Sequence, residues 1–178
     1  MQRTYSRWSM PRRRSLLGLG LAGAAAGAAT LNLTPGQAAG SPFGSRPLDG
    51  NRFAVLAKPV GSSDWTLLVL EQIQPAPRCW EPRADGLIDP ALNRFDFTGI
   101  CSRYLDSNGY SLRVGDEDLA SRYRLRLAQR GNSLALLAMT PSDPTELLVG
   151  RGSVPLRDRD GFVSIQLEPG WQLERRVY

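Results

Sequence analysis

The chain has 178 residues, 42% of them hydrophobic, with 22 basic and 17 acidic side chains and no histidine. The missing histidine excludes a Ser-His-Asp triad, a Cys-His dyad and a His-ligated zinc site. Arg3, Arg7, Arg12, Arg13 and Arg14 all precede Ala38, where no acid occurs, so 17 basic side chains face 17 acidic ones beyond it. The high isoelectric point thus belongs to the first 38 residues and gives no support to a nucleic-acid partner, and none is expected.

Residues 1–14 are basic and residues 15–33 carry no charge. Leu16, Leu17, Leu19 and Leu21 are diluted by Gly18, Gly20, Gly23 and Gly27. Paired arginines, Arg13 and Arg14, before a weakly apolar core form the pattern of a twin-arginine export signal. Gly36-Gln37-Ala38 puts small residues where signal peptidase reads, so residues 1–38 are expected to be cut off after Ala38. The expected first partners are the twin-arginine machinery and signal peptidase, and the domain is expected to fold before transport. The alternative is an uncleaved anchor, because the uncharged stretch could just span a bilayer. The Gly/Ala content, with Thr30 and Asn32, favours cleavage and no stable membrane span afterwards. No cysteine lies near the cut, which argues against a lipoprotein.

Residues 39–51 are rich in Gly, Pro and Ser and read as a flexible leader. A single β-rich domain is expected over residues 52–178, large enough to bury a core without metals. Residues 53–57 and 65–73 flank Gly61-Ser62-Ser63-Asp64 and read as a hairpin. Pro75, Pro77, Pro82 and Pro90 break residues 74–93 into an irregular loop. Residues 94–101 alternate like a strand. Residues 102–105 and 110–114 flank Asp106-Ser107-Asn108-Gly109, a hairpin signal because Asn and Gly accept positive φ. Asp116-Glu117-Asp118-Leu119-Ala120 reads as one helical turn. Residues 123–128 alternate strictly, and Gly131-Asn132 turns them into 134–139. Runs at 147–150, 162–167 and 171–173 complete the set. Short strands with Gly/Pro turns predict an all-β fold, a single antiparallel β-sandwich or barrel-like domain with short hairpins.

Cys79 and Cys101 are the only cysteines. An even count in an exported chain predicts one disulfide, worth about 3 kcal/mol in the chain-entropy model, with two free buried thiols as the alternative in a reducing space. A Cys-x-x-Cys redox spacing is absent, and a zinc site lacks further ligands. No metal or cofactor is expected. Asp106-Ser107-Asn108-Gly109 does not fit a calcium loop, because glycine comes at the fourth position and Tyr110 at the fifth. Glu71, Glu81, Asp85, Asp89 and Asp96 could supply a carboxylate pair for glycoside hydrolysis, but that needs a fixed separation. Acids among so many arginines read first as ion pairs. Trp65, Trp80, Trp171, Tyr104 and Tyr110 could present a platform for sugar rings, although most are expected in the core. Trp80, Tyr104 and Tyr110 are the candidate binding aromatics. No catalytic residue is assigned.

Several segments are distinctive: Cys79-Trp80, Ile88-Asp89-Pro90 with Asn93, Phe95-Asp96-Phe97-Thr98-Gly99-Ile100-Cys101, Asp106-Ser107-Asn108-Gly109-Tyr110-Ser111 and Pro169-Gly170-Trp171. Through them, residues 52–178 resemble a family of exported cyanobacterial proteins known only as a domain of unknown function. The resemblance implies export and a shared fold and supplies no catalytic residue. Relatives continue past the segment matching Arg175-Arg176-Val177-Tyr178, so the last strand is expected to be short or unpaired. The expectation is an exported, non-catalytic β-domain of the periplasm, thylakoid lumen or cell surface. It would bind envelope glycan or a protein partner, or have a structural role. The alternative is a carboxylate-dependent hydrolase of envelope glycan.

Overall fold

The structure, a computed structural model, describes residues 44–105, 110–115 and 117–177, and the backbone of residues 6–10. Arg13, Arg14, the cleavage point after Ala38, the turn at 106–109 and Asp116 lie outside the described residues.

The fold is all-β. In chain order the strands are β1 (Ser6–Met10), β2 (Gly44–Pro47), β3 (Phe53–Val60), β4 (Asp64–Gln72), β5 (Trp80–Pro82), β6 (Ile88–Pro90) and β7 (Cys101–Tyr104). They continue as β8 (Tyr110–Val114), β9 (Glu117–Asp118), β10 (Arg124–Arg130), β11 (Ser133–Thr140) and β12 (Asp143–Ser153). The last are β13 (Val163–Ser164), β14 (Gln166–Leu167) and β15 (Gln172–Val177). Three sheets run β13-β3-β4-β7, β10-β11-β12-β14 and β2-β15-β1-β8-β9, and β5-β6 forms a small fourth. Among the described strands pairing is antiparallel, except that β1 lies parallel to β8. Strand β7 pairs with β4, and β8 with β1 and β9, so the strands flanking residues 106–109 do not form the predicted hairpin.

The three larger sheets share one interior. Phe53, Val55, Leu67 and Val69 meet Leu112, Leu134, Leu136, Val149, Val163 and Leu173 there. Strands β3 and β4 are buried on both faces, so their apolar residues run on instead of alternating. Leu56, Leu68 and Leu70 point away from the main interior and pack with Phe162, with Trp80, Ile88 and Leu92 alongside. Residues 74–100 therefore form a plate over the outer face of β3 and β4. The Cys79–Cys101 disulfide, with Cα atoms 5.9 Å apart, sits at its edge in a cluster with Ala91. Gly131, at φ +57, makes the β10–β11 turn that Gly131-Asn132 predicts.

Several details depart from the sequence reading, each for a local reason. The proline-rich segment holds β5 and β6, because Ile88 exchanges two backbone hydrogen bonds of 2.8 Å with Phe162. Residues 94–100 are turns instead of a strand. Asp96 Oδ1 accepts from the Thr98 amide and hydroxyl, and Phe97 O accepts from the amides of Ile100 and Cys101. Glu117–Asp118 pairs with β8 in place of a helical turn, and the Leu119 amide donates to Leu112 O at 2.9 Å. The segment read as a flexible leader contains β2, which pairs with β15. The last strand is six residues long and paired on both sides, not short or unpaired.

The run 162–167 crosses between sheets. Ser164 pairs with Leu56 on β3, and two residues later Gln166 pairs with Arg151 on β12. This crossing presses backbone against β12 at Gly150 and Gly152. A Cβ on Gly152 would stand 2.7 Å from Ser164 O and 2.7 Å from Val163 Cγ1. Gly152→Ala is therefore expected to cost about 2 kcal/mol through overpacking. Urea denaturation checks this, with Gly131→Ala as a control whose cost comes from backbone conformation alone.

Candidate functional site

A concavity lies where the plate, β3 and the start of β15 meet. It is a groove of about 560 Å³. It is lined by Ala54 and Leu56 of β3, by Trp80, Pro82 and Ile88 of the plate, and by Ser164, Gln166, Trp171 and Gln172. Trp80 is half-buried and also borders a smaller hollow of about 220 Å³ with Asn51, Gln72, Pro75 and Arg78. Trp171 is 8% exposed and belongs to the core. The groove thus combines an indole with the polar side chains of Ser164, Gln166 and Gln172. Aromatic faces with nearby hydrogen-bonding groups suit sugar rings and other flat amphipathic ligands.

The candidate aromatics do not converge. Trp80 lines the groove. Tyr110 is a correction: it is 8% exposed, packed in the main core, with its hydroxyl toward Leu67 O and Leu105 O. Tyr104 is engaged elsewhere. Its hydroxyl donates to Glu71 Oε2 at 2.8 Å, and Arg175 Nη2 donates to Glu71 Oε1 at 2.7 Å. Sequence reasoning missed Ser164, Gln166 and Gln172. Alternation in 162–167 carried the signal for the first two, since it puts Ser164 and Gln166 opposite the buried Val163 and Ile165.

The carboxylates proposed for hydrolysis are each held locally. Glu71 carries the Tyr104–Arg175 network. Glu81 and Asp89, cross-strand partners on β5 and β6, both face Arg94, at 2.6 and 3.4 Å. Asp85 pairs with Arg83, which also holds Asp158 at 2.6 Å. The Thr98 hydroxyl, then its amide, holds Asp96 below the usual carboxylate range. The Asp160 amide, then Arg83, does the same for Asp158. A glycosidase acid needs the opposite shift. None of these acids lines the groove. Among the described residues no group of three His, Cys, Asp or Glu side chains could hold a metal.

Burial, and then the Glu71 carboxylate, pushes the Tyr104 phenol up from 10.0 to about 12. The folded value lies above the unfolded one. Its contribution to stability is therefore complete below pH about 10 and is lost as pH rises toward about 12. Denaturation midpoints across that window are expected to fall, and Tyr104→Phe is expected to flatten the fall. An unchanged slope in Tyr104→Phe would place the alkaline sensitivity elsewhere.

Among the described residues no helix is long and apolar enough to cross a membrane. A family model described as "Protein of unknown function (DUF3747)" matches residues 21–178, which includes the whole described domain from β2 onward. No curated protein and no solved structure matches the chain.

Proposed function

We propose, from the premise that this chain belongs to the DUF3747 family of proteins of unknown function, that it is an exported, non-catalytic binding domain. It takes envelope glycan in the Trp80 groove. The observation that carries this reading is the groove's chemistry: an indole, amide and hydroxyl groups and, among the described residues, no carboxylate. Such a site holds a saccharide without a pair of acids to hydrolyse it. The leader with Arg13 and Arg14 supports export to a periplasm, thylakoid lumen or cell surface. The disulfide supports an oxidising compartment.

Titration of the full chain with soluble N-acetylhexosamine oligosaccharides and peptidoglycan fragments, followed by tryptophan fluorescence, tests the reading. Saturable binding is expected, with no product released on long incubation. Trp80→Ala is expected to weaken binding at least about tenfold, the loss of one stacked aromatic contact. Binding that is absent, or indifferent to Trp80→Ala in a variant that still melts cooperatively, would sink the proposal.

A further inference from the structure

Strand order β2-β15-β1-β8-β9 puts Ser6–Met10 in the middle of a sheet, not at its edge. Ser6, Arg7, Trp8 and Ser9 oppose Arg175, Glu174, Leu173 and Gln172 on antiparallel β15. Ser6 to Met10 run alongside Tyr110 to Val114 on parallel β8. The two neighbours are anchored without this strand. β15 is held on its far side by β2 and by the Leu48 amide donating to Leu173 O at 3.1 Å. β8 is held by β9 and by the Leu119 amide. Among the described residues no ladder joins β8 to β15 directly. Removal of residues 1–38 would leave two strands facing each other across two strand spacings, about 10 Å.

We propose that the gap between β8 and β15 is a strand-accepting slot, filled in cis by Ser6–Met10 in the precursor and in trans, after leader removal, by an extended segment of another polypeptide that carries a basic residue directly before an apolar one. The flanking residues set that preference. Leu112 and Leu173 are core residues, 1% and 9% exposed, and they flank one register position, so an occupant needs an apolar side chain there. The preceding position lies between Ser111 and Glu174 on the other face of the sheet. Glu174 is 7% exposed, so a basic side chain is the charge-matched neighbour. In the leader these two positions are Trp8 and Arg7. Main-chain bonding on both sides supplies affinity, and alternate side chains supply selectivity. Refilling in cis is too short: residues 39–43 span at most about 17 Å, which cannot both pass β15 and line the slot.

The inference rests on the proposed export only for removal of the leader. The test uses the full chain with a specific protease sequence inserted between Ala38 and Ala39 and a labelled synthetic peptide matching residues 4–12. After cutting, the peptide is expected to bind and to displace the held leader. The uncut chain is expected to bind at least about a hundredfold more weakly, because its tethered strand competes at high effective concentration. Peptides carrying Arg7→Glu or Trp8→Asp are expected to lose most of their binding. Equal binding to cut and uncut chain overturns the proposal, as does indifference to both substitutions. Unfolding once the leader is displaced, dimerisation without peptide, or protected β8 and β15 amides in the leader-free chain also overturns it. The export reading fails separately: native protein whose intact mass begins at Met1 removes the leader-cleavage premise and leaves peptide binding to the cut chain as it was.

Discussion

Phe162→Ala is expected to lower stability by about 4 kcal/mol, the range for deleting a buried aromatic ring. The ring is 1% exposed and packs with Leu56, Leu68 and Leu70 on the outer face of β3 and β4. The cavity has little room to collapse. Strands β3 and β4 form its floor and are clamped from below by the main core, where Val55, Leu67 and Val69 are at most 7% exposed. The plate above is tied to the same residue, through the paired backbone bonds of Ile88 and Phe162 at 2.8 Å. The ring therefore fastens plate to sheet as well as filling volume. Urea denaturation should show the loss, and Phe162→Leu should recover more than half of it. Trp80 emission should shift toward the exposed range before global unfolding in Phe162→Ala. A loss under about 1 kcal/mol would mean that the plate is held by its disulfide and backbone alone.

The same region shows how far the sequence could be read. The hairpin of β3 and β4 was legible because a Gly-containing turn separates two apolar runs. The double-sided burial of those strands was also present in the runs, since Leu67-Leu68-Val69-Leu70 does not alternate. The partner on the outer face was not legible. Phe162 lies far along the chain from Leu68, and nothing local marks the crossing at Ser164 and Gln166 from one sheet to another. Local polar chemistry misled at 94–101, where Asp96 and Thr98 close a turn that alternation reads as a strand.

The candidate site was legible in one residue. Trp80, one of the three candidate aromatics, lines the groove. Tyr110 carried the same composition signal and lies in the core. The difference is set by the sheet face each ring occupies, which periodicity cannot assign for a strand whose neighbours are unknown. The arginines were read as ordinary surface ion-pair partners, and several do more. Arg157 Nη2 donates to the carbonyls of Val60, Gly61 and Asp64 while its guanidinium lies 4.6 Å over the Trp65 ring. Arg52 holds Gln72 O in the same way. Carbonyl acceptors have no sequence signature, so this use of arginine shows only in the fold.

Removing the Cys79–Cys101 bridge is expected to cost about 3 kcal/mol and to lower the melting temperature by about 10 °C. The loss should be uneven. Both cysteines are buried, at 0% and 5% exposure, against Ala91 and the partly buried Phe95 and Phe97, a satellite separate from the main core. The rest of the plate edge hangs on a few polar contacts around it. The Cys79 amide donates to Gln72 Oε1 at 2.9 Å, the Ala91 amide to Cys79 O at 2.7 Å, and the Ile73 amide to Ile100 O at 2.9 Å. In a Cys79→Ser, Cys101→Ser double variant, these amides should exchange with solvent faster than the β10–β11 ladder, whose packing lies in the main interior. Trp80 sits at the junction of the plate and the groove, so the proposed glycan binding should weaken under conditions where the interior remains folded. Reduction of the native protein should reproduce both effects, and reoxidation should reverse them. If binding survives reduction unchanged while the melting temperature falls, the bridge stabilises the domain without shaping the groove, and Trp80 is positioned by Phe162 and Ile88.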